Sequence, residues 1–227
     1  PAEKINIVTS VDRPREKLER RTLSSATSAA FTSDGLEIAF IAGGDVWVMD
    51  TELKEPKQVT RTPEEERSIA FSPDNNSLYF VSDANGKTEI IKTTKGDSTK
   101  FWWQNDSFNQ TPITTDGNQK SSLQFNPDGT KLALVLGRGD LAVIDADGKN
   151  GRVLSPGYSA PDFDWSPDGK WLALGTVGGL LTVWNTDTHE KTGELAFGRF
   201  IESLAFDPAN NLLYAMDAGA NIHLIGV

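Results

Sequence analysis

Cysteine is absent from the 227 residues, which removes disulfides, thiolate metal sites and a cysteine nucleophile together. Histidine occurs twice, as His189 in a polar turn and His223 in an alternating apolar stretch. Neither has the partners that a metal cluster or a serine triad would need. No run approaches the roughly 20 apolar residues that cross a bilayer, and the N-terminus carries no apolar signal core. No membrane association is expected, and the chain reads as soluble, with periplasm and cytoplasm both open. Basic residues are in deficit, 22 Lys and Arg against 32 Asp and Glu for a net charge of −10. That balance argues against a nucleic-acid partner, since phosphate contacts need concentrated Lys and Arg. Nucleophile elbow, Walker loop and dinucleotide fingerprint are likewise missing, and no cofactor or metal is expected.

What the chain does have is repetition. The stretch Phe163-Asp-Trp-Ser-Pro-Asp-Gly169 has imperfect copies at 29–35, 69–75, 123–129 and 204–210. Their anchors Phe31, Phe71, Phe125, Trp165 and Phe206 lie 40, 54, 40 and 41 residues apart. A period near 40 with one insertion of 14 is the signature of a repeat architecture. Within each unit a short strand ends in the aromatic-x-x-Asp-Gly turn, an apolar strand follows, and a third strand such as Asp45-Val-Trp-Val-Met-Asp50 completes an apolar set. A shorter and more polar fourth strand, Lys57-Gln-Val-Thr60 in the first unit, suits an edge exposed to water. Three apolar strands and a polar outer one are what a propeller blade requires.

The expected fold is therefore all-β: a five-bladed antiparallel β-propeller forming one domain, with blades at about 27–62, 63–116, 117–155, 156–197 and 198–227. The fifth unit has residues for three strands only. The segment 1–26 is expected to close the ring by completing that last blade, through Ile5 to Val8 on β propensity or, second, through Lys17 to Thr22. A closed ring is expected to be a monomer; five blades of a larger ring would expose two edges and associate.

The Asp-Gly and Asp-Asn pairs at 34, 74, 128 and 168 could be taken for a carboxylate array. Their place between two strands makes them turn elements instead, Asp capping the backbone and Gly accepting positive φ. The anchor aromatics are read as wedges between blades. Asp83-Ala-Asn-Gly-Lys-Thr-Glu89 resembles a calcium loop but lacks the third ligand and the spaced bidentate Glu. The cluster the repeat does not require is Phe101-Trp102-Trp103, in the insertion between the third and fourth strands of the second unit. Three aromatics in a polar loop either pack on the ring or grip a partner. Phe101, Trp102 and Trp103 are the first binding candidates, with Arg67, Lys120 and Asp162 the others. Glu66, Asp162 and Glu202, near the starts of inner strands, are the carboxylates an enzyme could use.

The repeated aromatic-Ser-Pro-Asp-Gly turn, the Leu-Ala-Leu or Ile-Ala-Phe strand after it and the closing Asp-Leu-Ala-Val-Ile-Asp145 resemble the propeller repeats of TolB and the tricorn-type proteases. Residues 45–62 and the Phe-Trp-Trp-Gln-Asn-Asp106 insertion resemble bacterial tricorn-like peptidases, and the likeness covers about residues 1–174. From Leu180 to Gly193 the chain is more similar to a WD repeat, with Asn185 in place of the usual Asp. The resemblance implies a propeller that admits or positions peptides while a separate serine hydrolase domain cuts them; these 227 residues hold no such domain. The expected function is thus a non-catalytic scaffold for peptide or protein. Alternatives are an engineered or recombined ring without natural ligand, and a hydrolase or lyase using carboxylates at the central channel.

Overall fold

The computed structural model describes residues 22, 24–157, 162–210 and 212–226. They form five antiparallel sheets, each a meander. The first holds β1 (Ser28–Phe31), β2 (Glu37–Ala42), β3 (Asp45–Asp50) and β4 (Lys57–Gln58). The second holds β5 (Glu66–Phe71), β6 (Ser77–Ser82), β7 (Glu89–Lys95) and β8 (Phe108–Pro112). The third comprises β9 (Lys120–Phe125), β10 (Lys131–Leu136), β11 (Asp140–Asp145) and β12 (Arg152–Ser155), and the fourth β13 (Asp162–Trp165), β14 (Trp171–Gly175), β15 (Leu180–Asn185) and β16 (Lys191–Ala196). The fifth has three strands among the described residues, β17 (Ile201–Phe206), β18 (Leu212–Asp217) and β19 (Ile222–Gly226).

The repeated turn is built alike each time. Asp34 Oδ1 accepts from Thr32 Oγ1 at 2.6 Å and from the Leu36 N–H at 3.0 Å. Asp74 does so with Ser72 Oγ and the Asn76 N–H, and Asp168 with Ser166 Oγ and the Lys170 N–H. These hydroxyl donors hold the carboxyls of Asp34, Asp74 and Asp168 below the usual carboxylate range, so the aspartates stay ionised as turn caps. The next residue takes positive φ, +71° at Gly35 and +59° at Asn75. Asn75 stands where the first, third and fourth turns have glycine, and its side chain explains why: Oδ1 accepts the Ser33 N–H and Nδ2 donates to Ser33 Oγ, both at 2.8 Å. A left-handed Asn is tolerable, and here it ties two blades together.

The middle three sheets bury apolar side chains on both faces and the first and fifth on one, in four core clusters that follow one another along the chain. Ala39, Ile41, Val46 and Val48 of the first sheet pack on Phe71, Leu78 and Phe80 of the second. Tyr79, Val81 and Ile90 then meet Leu123, Leu132 and Leu134 of the third, whose opposite face meets Phe163, Trp165 and Leu172 of the fourth. Finally Ala173, Leu181 and Val183 pack on Leu204, Leu213 and Ala215 of the fifth. Four anchors work as wedges: Phe71, Phe125, Trp165 and Phe206 each lie in the cluster shared with the preceding sheet.

Phe31 breaks the series. It belongs to no cluster and is 61% exposed. Among the described residues no buried cluster joins the fifth sheet to the first, so no ring closure is seen. The N-terminal strand expected to complete it, Ile5 to Val8 or its alternative up to Thr22, lies outside the described residues except for Thr22, which is in no strand.

Candidate binding site along the inner strands

The first strands of the sheets lie side by side, β1 on β5, β5 on β9 and β13 on β17. A residue type recurs three positions before each anchor: Ser28, Ser68, Ser122, Asp162 and Ser203. Three of these stitch one inner strand to the next. Ser28 Oγ accepts the Ile69 N–H at 3.3 Å, Ser68 Oγ the Ser122 N–H at 2.9 Å, and Asp162 Oδ2 the Leu204 N–H at 2.7 Å. The receiving strands β5 and β9 carry register shifts at these points, where Ser68 and Ser122 adopt positive φ (both 55°); in β17 the shift lies between Ile201 and Ser203, before Leu204. A bulge frees a backbone N–H from its own ladder and turns it to the neighbouring blade. The period of this serine position was readable in the sequence, though its partner was not.

Two clefts lie against the inner strands. At the strand-start end a cleft of ≈ 370 Å³ is bordered by Thr27, Ser28, Glu66, Arg67, Ser68 and Ser122. At the turn end a second, of ≈ 450 Å³, is bordered by Phe31, Phe71, Pro73, Phe125, Pro127 and Trp165. Ile69 and Leu123 border both clefts and lie between them.

The sequence candidates fare differently. Arg67 is at the polar mouth, where its Nη2 lies 3.4 Å from Glu65 and 3.3 Å from Asp83 while its buried Nε has no partner. Lys120 is not at a binding surface. Its side chain is 2% exposed and all its capacity is used: it pairs with Asp116 and Glu89 and donates to the carbonyls of Thr88 and Asn118. Asp162 is an inner-strand stitch, as above. In the insertion Trp102 is fully buried. Its ring stacks on Phe108 at 6.0 Å, meets Phe71 edge-on at 5.6 Å, and donates through Nε1 to the Asn75 carbonyl at 2.9 Å. The loop is pinned to the first blade, the Trp103 N–H donating to the Glu37 carboxylate and the Lys57 ammonium to the Asp106 carboxylate. The loop therefore plugs the junction of the first two blades, and Phe101, 47% exposed, is its outward part. The carboxylates of Asp83 and Glu89 turn to separate partners, Glu65 and Arg67 for the first, Thr114, Gly117 and Lys120 for the second. His223 lies 3.1 Å from Asp217 and against Phe197. Among the described residues no three His, Asp or Glu side chains are grouped to hold a metal.

Of the three enzyme candidates, Glu202 is exposed and Glu66 is buried at the mouth. Glu66 accepts from Thr62 Oγ1 at 3.1 Å, and Thr60 Oγ1 lies between it and Asp45, 3.4 Å from one carboxylate and 3.3 Å from the other. One hydroxyl proton cannot serve both acids. Burial, with the Asp45 charge adding to it, pushes the Glu66 carboxyl up to about 7. Because its folded value lies above the ordinary 4.5, stability contributed by the protonated form is complete below pH 4.5. It is lost as pH rises towards 7, by up to roughly 3 kcal/mol. Glu66→Gln is expected to flatten that decline; denaturation midpoints of both proteins at pH 5 and pH 8 measure it, and parallel declines would refute it.

No protein-family model matches the chain. Among solved structures, the β-propeller domain of Cps50 (Swd1) from Myceliophteria thermophila superposes with a TM-score of 0.65 at 12% identity, over 88% of this chain and 69% of that one. Hydrazine synthase from Kuenenia stuttgartiensis superposes with a TM-score of 0.68 at 15% identity, over 89% and 71%. At these identities the likeness speaks for fold alone and does not distinguish a TolB or tricorn kinship from any other. Five four-stranded or three-stranded antiparallel sheets packed face to face, with propellers as neighbours, make this chain a β-propeller fold.

Proposed function

We propose that the chain is a non-catalytic propeller scaffold that binds an extended peptide, or such a segment of a partner protein, in the clefts along its inner strands. The observation that carries this reading is the pair of clefts on the same inner strands, which share Ile69 and Leu123. One is polar, with a guanidinium and several hydroxyls, and the other is lined by aromatic rings and prolines. An extended strand offers carbonyls and a carboxylate to the first and side chains to the second. The narrower reading, a substrate-gating propeller like that of tricorn-like peptidases, rests on the sequence motifs.

A peptide array tests it. Arg67→Ala is expected to weaken capture of acidic or C-terminally free peptides about tenfold, the size of one charge-assisted contact, while Phe101→Ala leaves it unchanged. The reverse pattern would move the site to the insertion loop. If no peptide binds at all, the ring without a natural ligand is the better account. The raised Glu66 carboxyl at the mouth favours one second reading, acid/base chemistry in the cleft. Hydrolase and lyase panels that show no turnover for the wild type end it.

A further inference from the structure

Each of the first four blades turns one apolar residue, on or just after its outer strand, towards the blade that follows. Val59, Ile113, Leu154 and Leu195 hold this place, beside Val46, Ile90, Leu141 and Leu181 of the third strands. Val59 and Leu154 are 8% and 3% exposed, and Ile113 packs into the junction of the second and third blades. Leu195 is 45% exposed. At the first junction the outer strand of the second blade provides the cover: Phe108 joins the core cluster and Gln110 Nε2 donates to the Val59 carbonyl at 3.2 Å. At the fourth junction the same place is a cavity of ≈ 460 Å³, lined by Trp171, Leu181, Val183 and Leu195 of the fourth blade and by Ile225 of the fifth. A fourth strand of the fifth blade would set its side chains there, and among the described residues that blade has three.

The strand edge beside the cavity is β19. The Asp217 N–H donates to the Asn221 carbonyl, and bonded and non-bonded pairs alternate along an antiparallel ladder, so Ile222, Leu224 and Gly226 turn their N–H and carbonyl groups away from β18. The outer strands of the other blades carry guards against further pairing: Lys57 in β4, Pro112 in β8, Arg152 in β12, and Lys191 and Glu194 in β16. β19 reads Ile-His-Leu-Ile-Gly, with no proline, lysine or acid. An apolar edge without such guards is a template for another strand.

We infer that the edge of β19 takes up an extended segment of a partner protein as the fourth strand of the fifth blade, antiparallel to β19, with a bulky apolar side chain seated in the cavity against Trp171 and Leu195. The backbone groups of Ile222, Leu224 and Gly226 hold the strand and the cavity selects the side chain, as in other strand additions. The strand comes from another chain, because no buried cluster among the described residues brings the first sheet, into which residues 1–27 lead, beside the fifth. The site shares no lining residue with the inner-strand clefts.

Fluorescence anisotropy of the full chain with a labelled, end-capped peptide, Lys-Thr-Leu-Thr-Leu-Thr-Lys, tests this. Saturable binding is expected. With serine in place of leucine, or with the threonine nitrogens that face β19 methylated, the peptide is expected to bind about tenfold more weakly or worse, the worth of one or two hydrogen bonds or a buried side chain. Two variants of the chain separate the parts. Gly193→Phe fills the cavity from β16, where an added Cβ meets only Val183, at 3.8 Å. Leu224→Pro removes an outward N–H and no bond to β18. Each is expected to weaken capture about tenfold with an unchanged circular dichroism spectrum; should Leu224→Pro misfold, the methylated peptide reads the same contact. A wild type that binds none of the peptides overturns the inference, as does equal binding by the wild type and Gly193→Phe. Binding that appears only after Ile5→Asp and Ile7→Asp are introduced overturns it too, and gives the edge to this chain's own leading residues.

Discussion

Replacing Trp102 with alanine is expected to destabilise the protein by about 3–5 kcal/mol, the cost typical of an aromatic removed from a fully packed site. The indole has no exposed surface, two aromatic neighbours and a hydrogen bond from Nε1 to the Asn75 carbonyl. Deleting it leaves that carbonyl without its donor and opens the junction between the first two blades, where Lys95 also lies 6.0 Å above the ring. Trp102→Phe is expected to recover more than half of the loss, since it restores apolar volume but not the hydrogen bond. Chemical denaturation measures both. A loss under about 1 kcal/mol, the usual range for surface changes, would mean that the insertion does not close the junction.

Lys120→Met is expected to cost about 3–5 kcal/mol, as removal of one member of a buried ion pair does. The methionine keeps the aliphatic packing but strips Glu89, 13% exposed, of its cation and leaves the Thr88 and Asn118 carbonyls without a donor. Asp116 is half exposed and returns to water, so the damage centres on Glu89. The double variant Lys120→Met, Glu89→Gln is therefore expected to be more stable than Lys120→Met alone, and a double-mutant cycle by denaturation reads that coupling. Additive losses would show that the two charges do not depend on each other.

The architecture was legible because its signals are local and repeated. Four of the five turns announce themselves through an Asp cap followed by a residue of positive φ, while the fifth has Ala209 and Asn210 at those places and is capped by Asp207. Strand assignments based on them hold to within two residues, β4 stopping at Gln58 instead of Thr60. The site was legible only in part. Lys120 and Arg67 begin neighbouring inner strands and look alike in sequence. Each meets two acids, Asp116 and Glu89 for the first, Glu65 and Asp83 for the second; what separates them is that Lys120 is buried among its partners while Arg67 is left at a cleft. Charge convergence across strands has no period to betray it. Trp102 and Phe101 are adjacent in a polar segment, and a single turn of 3₁₀ helix at Trp102–Gln104 sends one ring inward and the other out. The serine or aspartate three positions before each anchor recurs in the sequence, but its meaning required the neighbouring strand, where bulges release the N–H groups of Ile69 and Ser122.

The succession of four core clusters has a thermodynamic consequence. When each unit contacts only its neighbours, stability is a sum of unit terms and junction terms, and a row of five units has four junctions where a cycle would have five. Among the described residues the inner three blades are each held on two sides, the first and last on one, and the last has three strands. Opening of the isolated chain should therefore proceed inward from the ends, with the third blade the last to let go, and any contact that turns the row into a cycle would protect all five blades at once.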